Sequence, residues 1–132
     1  MIRFLLVLLV LPMLAISDED VIHDHMEGMK KDFKTINTLV AEPGKDEDLL
    51  KAIDSMQRHI VGSKCEVPYL IAEDTPEADR PAALVDYRAR MADLLAGFAR
   101  LEGHVLRGER EKAVALVAEL DAQRKAGHRL YQ

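Results

Sequence analysis

Apolar residues recur along this chain at alternating intervals of three and four, the spacing that gathers them on one side of an α-helix. Four stretches carry the pattern. The first runs from about Asp18 to Ala41, with Ile22, Met26, Met29, Phe33, Ile36 and Val40 as its stripe. Asp18, Glu19 and Asp20 occupy its first turn, where carboxylates favour the positive end of the helix dipole, and Glu42-Pro43-Gly44 ends it. The second, from about Asp46 to Lys64, repeats the pattern through Leu49, Ile53, Met56 and Ile60. Val67-Pro68 stops it, because a residue before proline is pushed out of helical conformation. A connection from about Glu66 to Arg80 follows, holding Pro68, Pro76 and several acids. The third helix starts near Pro81, a residue suited to a first helical turn. Its stripe is Leu84, Tyr87, Met91, Leu94, Phe98, Leu101 and Val105, and Gly108 marks the turn out of it. The fourth runs from about Glu109 to Tyr131. No stretch alternates like a strand. Four helices with short first and third connections pack most simply as an all-α, antiparallel, up-down-up-down four-helix bundle.

The fourth stripe is broken in an informative way. Ala113, Val117, Leu120, Arg124, His128 and Tyr131 share one face, so Arg124 and His128 stand where a plain bundle would place leucine or valine. Alternating helices bring four elements to one end of the bundle: the start of the first helix, the end of the second, the start of the third and the end of the fourth. Met26 lies about eight residues, ~12 Å, into the first helix, and His128 about four residues, ~6 Å, from the chain end, so both reach roughly the same depth. Tyr87 and Met91 point into the same region, and the 66–80 connection spans that end and is placed to shield it. An inward thioether facing an imidazole suits axial ligation of haem iron, with the thioether favouring reduced iron. With both axial positions filled, outer-sphere electron transfer is the expected chemistry. No Cys-x-x-Cys-His occurs, so the haem would be b-type. Arg124, one turn before His128, is placed to pair with a propionate. Each piece also has a bland reading: methionine fills cores, histidine favours a helix C-terminus, and arginine snorkels from an apolar face. These residues taken singly favour a plain structural bundle.

Residues 1–17 stand apart from the helical pattern. Arg3 is followed by an apolar run from Phe4 to Leu14, then by small residues ending at Ser17. This is the layout of a secretory signal, with cleavage expected between Ser17 and Asp18. The run falls well short of the roughly 20 apolar residues a spanning helix needs. Cleavage removes Arg3 and no acid, which leaves 17 basic against 23 acidic residues and a formal net charge of −6. An acidic domain without a basic stripe is a poor partner for nucleic acid and for anionic membranes. The single cysteine, Cys65, has no internal partner for a disulfide, and a buried or tolerated thiol is expected.

The chain resembles the cytochrome b562 family over essentially all of residues 18–132. Three places carry the resemblance. His-Asp-His-Met-Glu-Gly-Met-Lys-Lys-Asp-Phe-Lys-Thr-Ile (23–36) is similar to the family's first helix, and Met26 falls on the methionine ligand. Arg124-Lys-Ala-Gly-His-Arg-Leu-Tyr-Gln132 is similar to its last turn, where His128 falls on the histidine ligand and Arg124 on an arginine near the haem. Between them, Tyr87-Arg88 and the run to Arg107-Gly108-Glu109 align with the third helix and its turn, and Pro68-Tyr69-Leu70 is similar to a Pro-x-Leu after the second helix. The resemblance implies a periplasmic electron carrier with one non-covalent haem b, ligated by Met26 and His128 and contacted by Arg124, Tyr87 and Met91. It implies unidentified redox protein partners, and a monomer is expected. Met91 departs from the family's aromatic residue, the 66–80 connection is a few residues longer, and Cys65 and the histidine-rich start are additional.

Two other readings come from different classes. The segment His23-x-His25-Met26-x-x-Met29 has imidazole and thioether groups that suit copper, although solvated first-turn histidines and core methionines rank ahead of that reading. A haem-free structural or stress bundle would need neither ligand. His25 points off the stripe, His59 reads as surface or boundary, and His104 as a solvated residue at the opposite end. An enzyme is not expected: no hydrolytic triad, phosphate-binding glycine loop or paired Glu-x-x-His motif is present.

Overall fold

The computed structural model describes residues 18–131, and side chains over residues 21–130. The leader expected at residues 1–17 lies outside the described residues. Four long helices form: α1 (Asp18–Leu39), α2 (Asp46–Lys64), α3 (Arg80–Leu106) and α4 (Arg110–Tyr131). The ends fall within two residues of those the periodicity predicts. Two positive-φ glycines mark the short connections, Gly44 (φ 73°) and Gly108 (φ 72°). At Gly108 the turn is a Schellman motif. The Gly108 amide donates to the Val105 carbonyl at 3.1 Å and the Glu109 amide to the His104 carbonyl at 2.9 Å, which satisfies carbonyls that the end of α3 leaves open.

The 66–80 connection is more ordered than its sequence suggests. It contains a wide π-helical turn at Leu70–Asp74 and a 3₁₀ turn at Glu77–Asp79. The amides of Ile71 and Ala72 both donate to the Pro68 carbonyl at 3.0 Å, and Ile71 is buried in the core. Thr75 Oγ1 donates to the Leu70 carbonyl at 2.7 Å, and Arg80 Nε donates to the Thr75 carbonyl at 2.9 Å. The connection is thereby fixed across one end of the bundle rather than looped into solvent.

The stripes meet in one core. Phe33, Ile36, Leu49, Ile53, Met56, Ile60, Phe98, Leu101, Val117 and Leu120 are all buried in it. Phe33 and Phe98 pack edge to face, with centroids 6.2 Å apart, a favoured aromatic geometry. Gly97 lets α3 approach α4 closely, since a Cβ there would overlap Leu120. Leu116 is also buried, which widens the face of α4 beyond its predicted stripe.

The four sides of the bundle are unequal. α1 packs on α2, α2 on α3 and α3 on α4 through close backbone approach, whereas α1 and α4 lack comparable contact. At the end with the glycine turns this gap is bridged by Arg110. Its guanidinium donates to the carbonyls of Val40 (2.8 Å) and Glu42 (3.0 Å) and pairs with Asp46 (2.8 Å). At the other end a cavity opens between the helices. No helix among the described residues is long and apolar enough to cross a membrane.

Candidate functional site

The open end holds a cavity of about 960 Å³, near the top of the range of roughly 300–1,000 Å³ for cofactor and small-molecule sites. α1 contributes Met26 and Met29, α2 contributes Met56 and Ile60, and α3 contributes Tyr87, Met91, Leu94 and Phe98. From α4 come Arg124, Ala126, Gly127 and His128, and Pro68, Tyr69 and Leu70 of the connection close one side. The wall is apolar, and exposed polar residues such as His23, Lys30 and Gln123 edge it. Small residues beside His128 keep the α4 wall shallow: a Cβ on Gly127 would meet nothing within 4 Å.

All five residues singled out from the sequence line this one cavity. Met26 is half-buried on α1, held in place by the same stripe that seats Phe33 and Ile36. Tyr87 and Met91 are buried, one turn apart on α3. The Tyr87 hydroxyl donates to the Ser63 carbonyl at 2.8 Å, and burial pushes its pKa up to about 12. The phenol therefore stays protonated, and its hydroxyl ties α3 to the end of α2.

Arg124 is half-buried at the cavity edge. Its Nη2 donates to Asp121 Oδ1 at 3.0 Å, and its guanidinium carbon lies 5.2 Å from the centroid of the Phe33 ring, a cation–π distance. A positive charge is thus held against the apolar wall on the side where α1 and α4 separate. His128 lines the cavity while remaining exposed on its outer side. Partial burial, reinforced by the positive charges of Arg124 and Lys30, holds its pKa below the ordinary value of 6.5. At neutral pH the imidazole is therefore neutral and carries a free nitrogen lone pair.

Two expectations are corrected. The His23–Met29 segment is split: His23, Met26 and Met29 line the cavity, whereas His25 packs against His59 and Gly62 of α2. Helical geometry forces this, since neighbours in sequence sit about 100° apart around the axis. His59, read as surface or boundary, lies at the boundary, half-buried and packed on α1. His104, read as solvated, has a side chain only 20% exposed and lies 3.3 Å from Glu109 Oε1. Of the two forms expected for Cys65, buried or tolerated, the structure shows an exposed free thiol. Among the described residues, no cluster of three or more His, Cys, Asp or Glu side chains is arranged to hold a metal ion.

Met29, Met56, Ile60, Leu94 and Phe98 also wall the cavity, although their spacing marks them only as core. No signal in the sequence separates a stripe residue that meets another side chain from one that meets a cavity. The donor set nevertheless fits a haem. The cavity is large and apolar enough for a macrocycle, a thioether and a neutral imidazole come from the two separated helices, and a guanidinium stands by for a carboxylate.

Fold and cavity together define the class, a four-helix bundle with a large, mainly apolar cavity between its helices at one end. The sequence profile described as Cytochrome b562 matches residues 21–132, and the chain belongs to the cytochrome b562 family. Members bind haem b without covalent attachment and carry electrons rather than catalyse a reaction. No curated protein matches the chain.

Proposed function

We infer that this protein is a periplasmic electron carrier that holds one haem b between Met26 Sδ and an imidazole nitrogen of His128. The observation that carries the reading is that these two residues, from the first and last helices, wall the same cavity on the side where α1 and α4 separate. A bound haem would supply one-electron chemistry, and a thioether and imidazole ligand pair would favour the reduced state. Every other contribution belongs to the chain. His128 offers a neutral nitrogen at neutral pH because its protonated form is disfavoured. Arg124 is placed to bind a propionate carboxylate, in competition with Asp121. Tyr87, Met91, Phe98 and Leu94, which line the cavity, would exclude water from the bound group, and Pro68-Tyr69-Leu70 would cover part of the opening.

Export follows from the leader-like residues 1–17. The mature chain, with its formal net charge of −6, would dock on a basic surface of its redox partner, and their association would weaken with salt. The deciding experiment is the visible spectrum of the purified protein, oxidised and reduced, with and without added haemin. Sharp six-coordinate low-spin bands are expected, and Met26→Ala and His128→Ala should each abolish them. A colourless protein that takes up no haemin, or bands that survive both substitutions, would overturn the assignment.

A further inference from the structure

The α1–α2 interface carries a cluster that the cofactor cavity does not use. His25 Nδ1 and His59 Nδ1 lie 3.1 Å apart, with the ring centroids 5.4 Å apart and the planes inclined at 65°. On its other side, His59 Nε2 lies 3.7 Å from Asp32 Oδ2. The Asp32 side chain is only 14% exposed, and its Oδ2 is buried with no hydrogen-bond partner. Both rings occupy notches cut by glycine: a Cβ on Gly28 would overlap the His59 ring, and a Cβ on Gly62 would overlap the His25 ring. Glycine within a helix costs about 1 kcal/mol relative to alanine, and a buried carboxylate oxygen without a partner costs about as much or more. The 3.1 Å contact between the rings is of hydrogen-bond length and offsets part of this cost, but it leaves Asp32 Oδ2 without a partner.

We propose that His25 and His59 bind one divalent transition-metal ion, of the zinc or copper type, through their two Nδ1 atoms, with Asp32 orienting His59 from behind. Imidazole nitrogens on a tetrahedral zinc ion, each at 2.0–2.1 Å, stand about 3.3 Å apart. The observed 3.1 Å separation thus needs only a slight opening to admit the ion. The buried Asp32 oxygen faces the nitrogen of His59 that points away from His25. It would accept the Nε2–H and so fix the tautomer that leaves Nδ1 free to ligate, the usual carboxylate–histidine–metal relation. His25 ligates as the tautomer protonated at Nε2, so two neutral rings meet the ion without net release of a proton. Water completes the coordination shell, because among the described residues no group of three or more His, Cys, Asp or Glu side chains is arranged to hold a metal ion. Copper(II) should bind more tightly than zinc, by the ordinary order of divalent ions. The ion would bridge α1 to α2 at the residue adjoining Met26, on the side of α1 that packs against α2.

The test is calorimetric titration of zinc chloride, and separately of copper(II), into the full mature protein carrying its haem. One equivalent of each should bind. His25→Gln and His59→Gln should each weaken binding about tenfold or more, and Asp32→Asn by about 10- to 100-fold, whereas His104→Gln should leave it unchanged. Absence of binding to the unmodified protein, or an affinity unchanged from the unmodified protein in either histidine variant, would overturn the proposal. The haem spectrum and circular dichroism check that each variant is folded. If a histidine variant fails to fold, paramagnetic resonance of copper(II) on the unmodified protein decides. Hyperfine splitting from two nitrogens supports the site, and its absence overturns it.

Discussion

Tyr87 illustrates how a residue of the cavity wall also holds the bundle together. Its ring lines the cavity while its hydroxyl reaches the Ser63 carbonyl at 2.8 Å. Tyr87→Phe keeps the ring and removes the bond. The Ser63 carbonyl retains the Glu66 amide at 3.2 Å, so the loss should be only about 1 kcal/mol of stability. Denaturant unfolding would read it as a lower midpoint with an unchanged slope, and haemin uptake should persist. At this scale the sequence was legible where a residue broke its own pattern. Arg124 and His128 announced themselves by standing on an apolar face. His25 and His59 did not, because each lies off its stripe and their meeting depends on the register between α1 and α2, which neither helix encodes alone. Asp32 was invisible for the same reason: its burial is imposed by a neighbouring helix.

Among the elements, the turn between α3 and α4 concentrates charge. Glu109 is bonded by Lys112, Arg107 and His104, and together they hold its carboxyl at about 2, below the ordinary 4.5. A carboxylate whose pKa is lowered on folding contributes stability that is fully present above its unfolded value and fades as pH falls through the folded one. The contribution of Glu109 should therefore disappear between pH 4.5 and about 2. Urea unfolding of Glu109→Gln should show a shallower fall in stability over that window than the unmodified protein. Equal slopes would mean that these bonds are screened away in solution. The helices themselves were read to within two residues, since long periodic stripes and paired Gly and Pro signals bound them. The connection before α3 was not. Its two helical turns are too short to show a period, and they are fixed by Ile71 entering the core and by the bonds of Thr75 and Arg80.

For the molecule as a whole, the cofactor cavity and the loosest side of the bundle coincide. A cofactor bound only by the folded state stabilises it by mass action, by about 2.7 kcal/mol at a hundred times the dissociation constant. The melting temperature should therefore climb with haemin concentration, whereas in His128→Ala it should respond much less. A response identical in both proteins would place haemin elsewhere on the bundle. The topology was legible from four stripes and two short turns. The inequality of its sides was not, because it depends on how far α1 and α4 stand apart, and no stripe records a distance.

That unequal side has a consequence for the two ends of the chain. Backbone contact ties each helix to the next in sequence but leaves the first and last nearly untied to each other, apart from the Arg110 clasp at the far end and side-chain contacts such as Arg124 on Phe33. In the proposed ligation, Met26 and His128 meet through a single iron atom across this seam. Neither terminus could then fray without breaking an iron bond and releasing the other. Two segments about 100 residues apart in sequence would open as one cooperative unit, and the haem would be the fastener that turns a folded ribbon of helices into a closed ring.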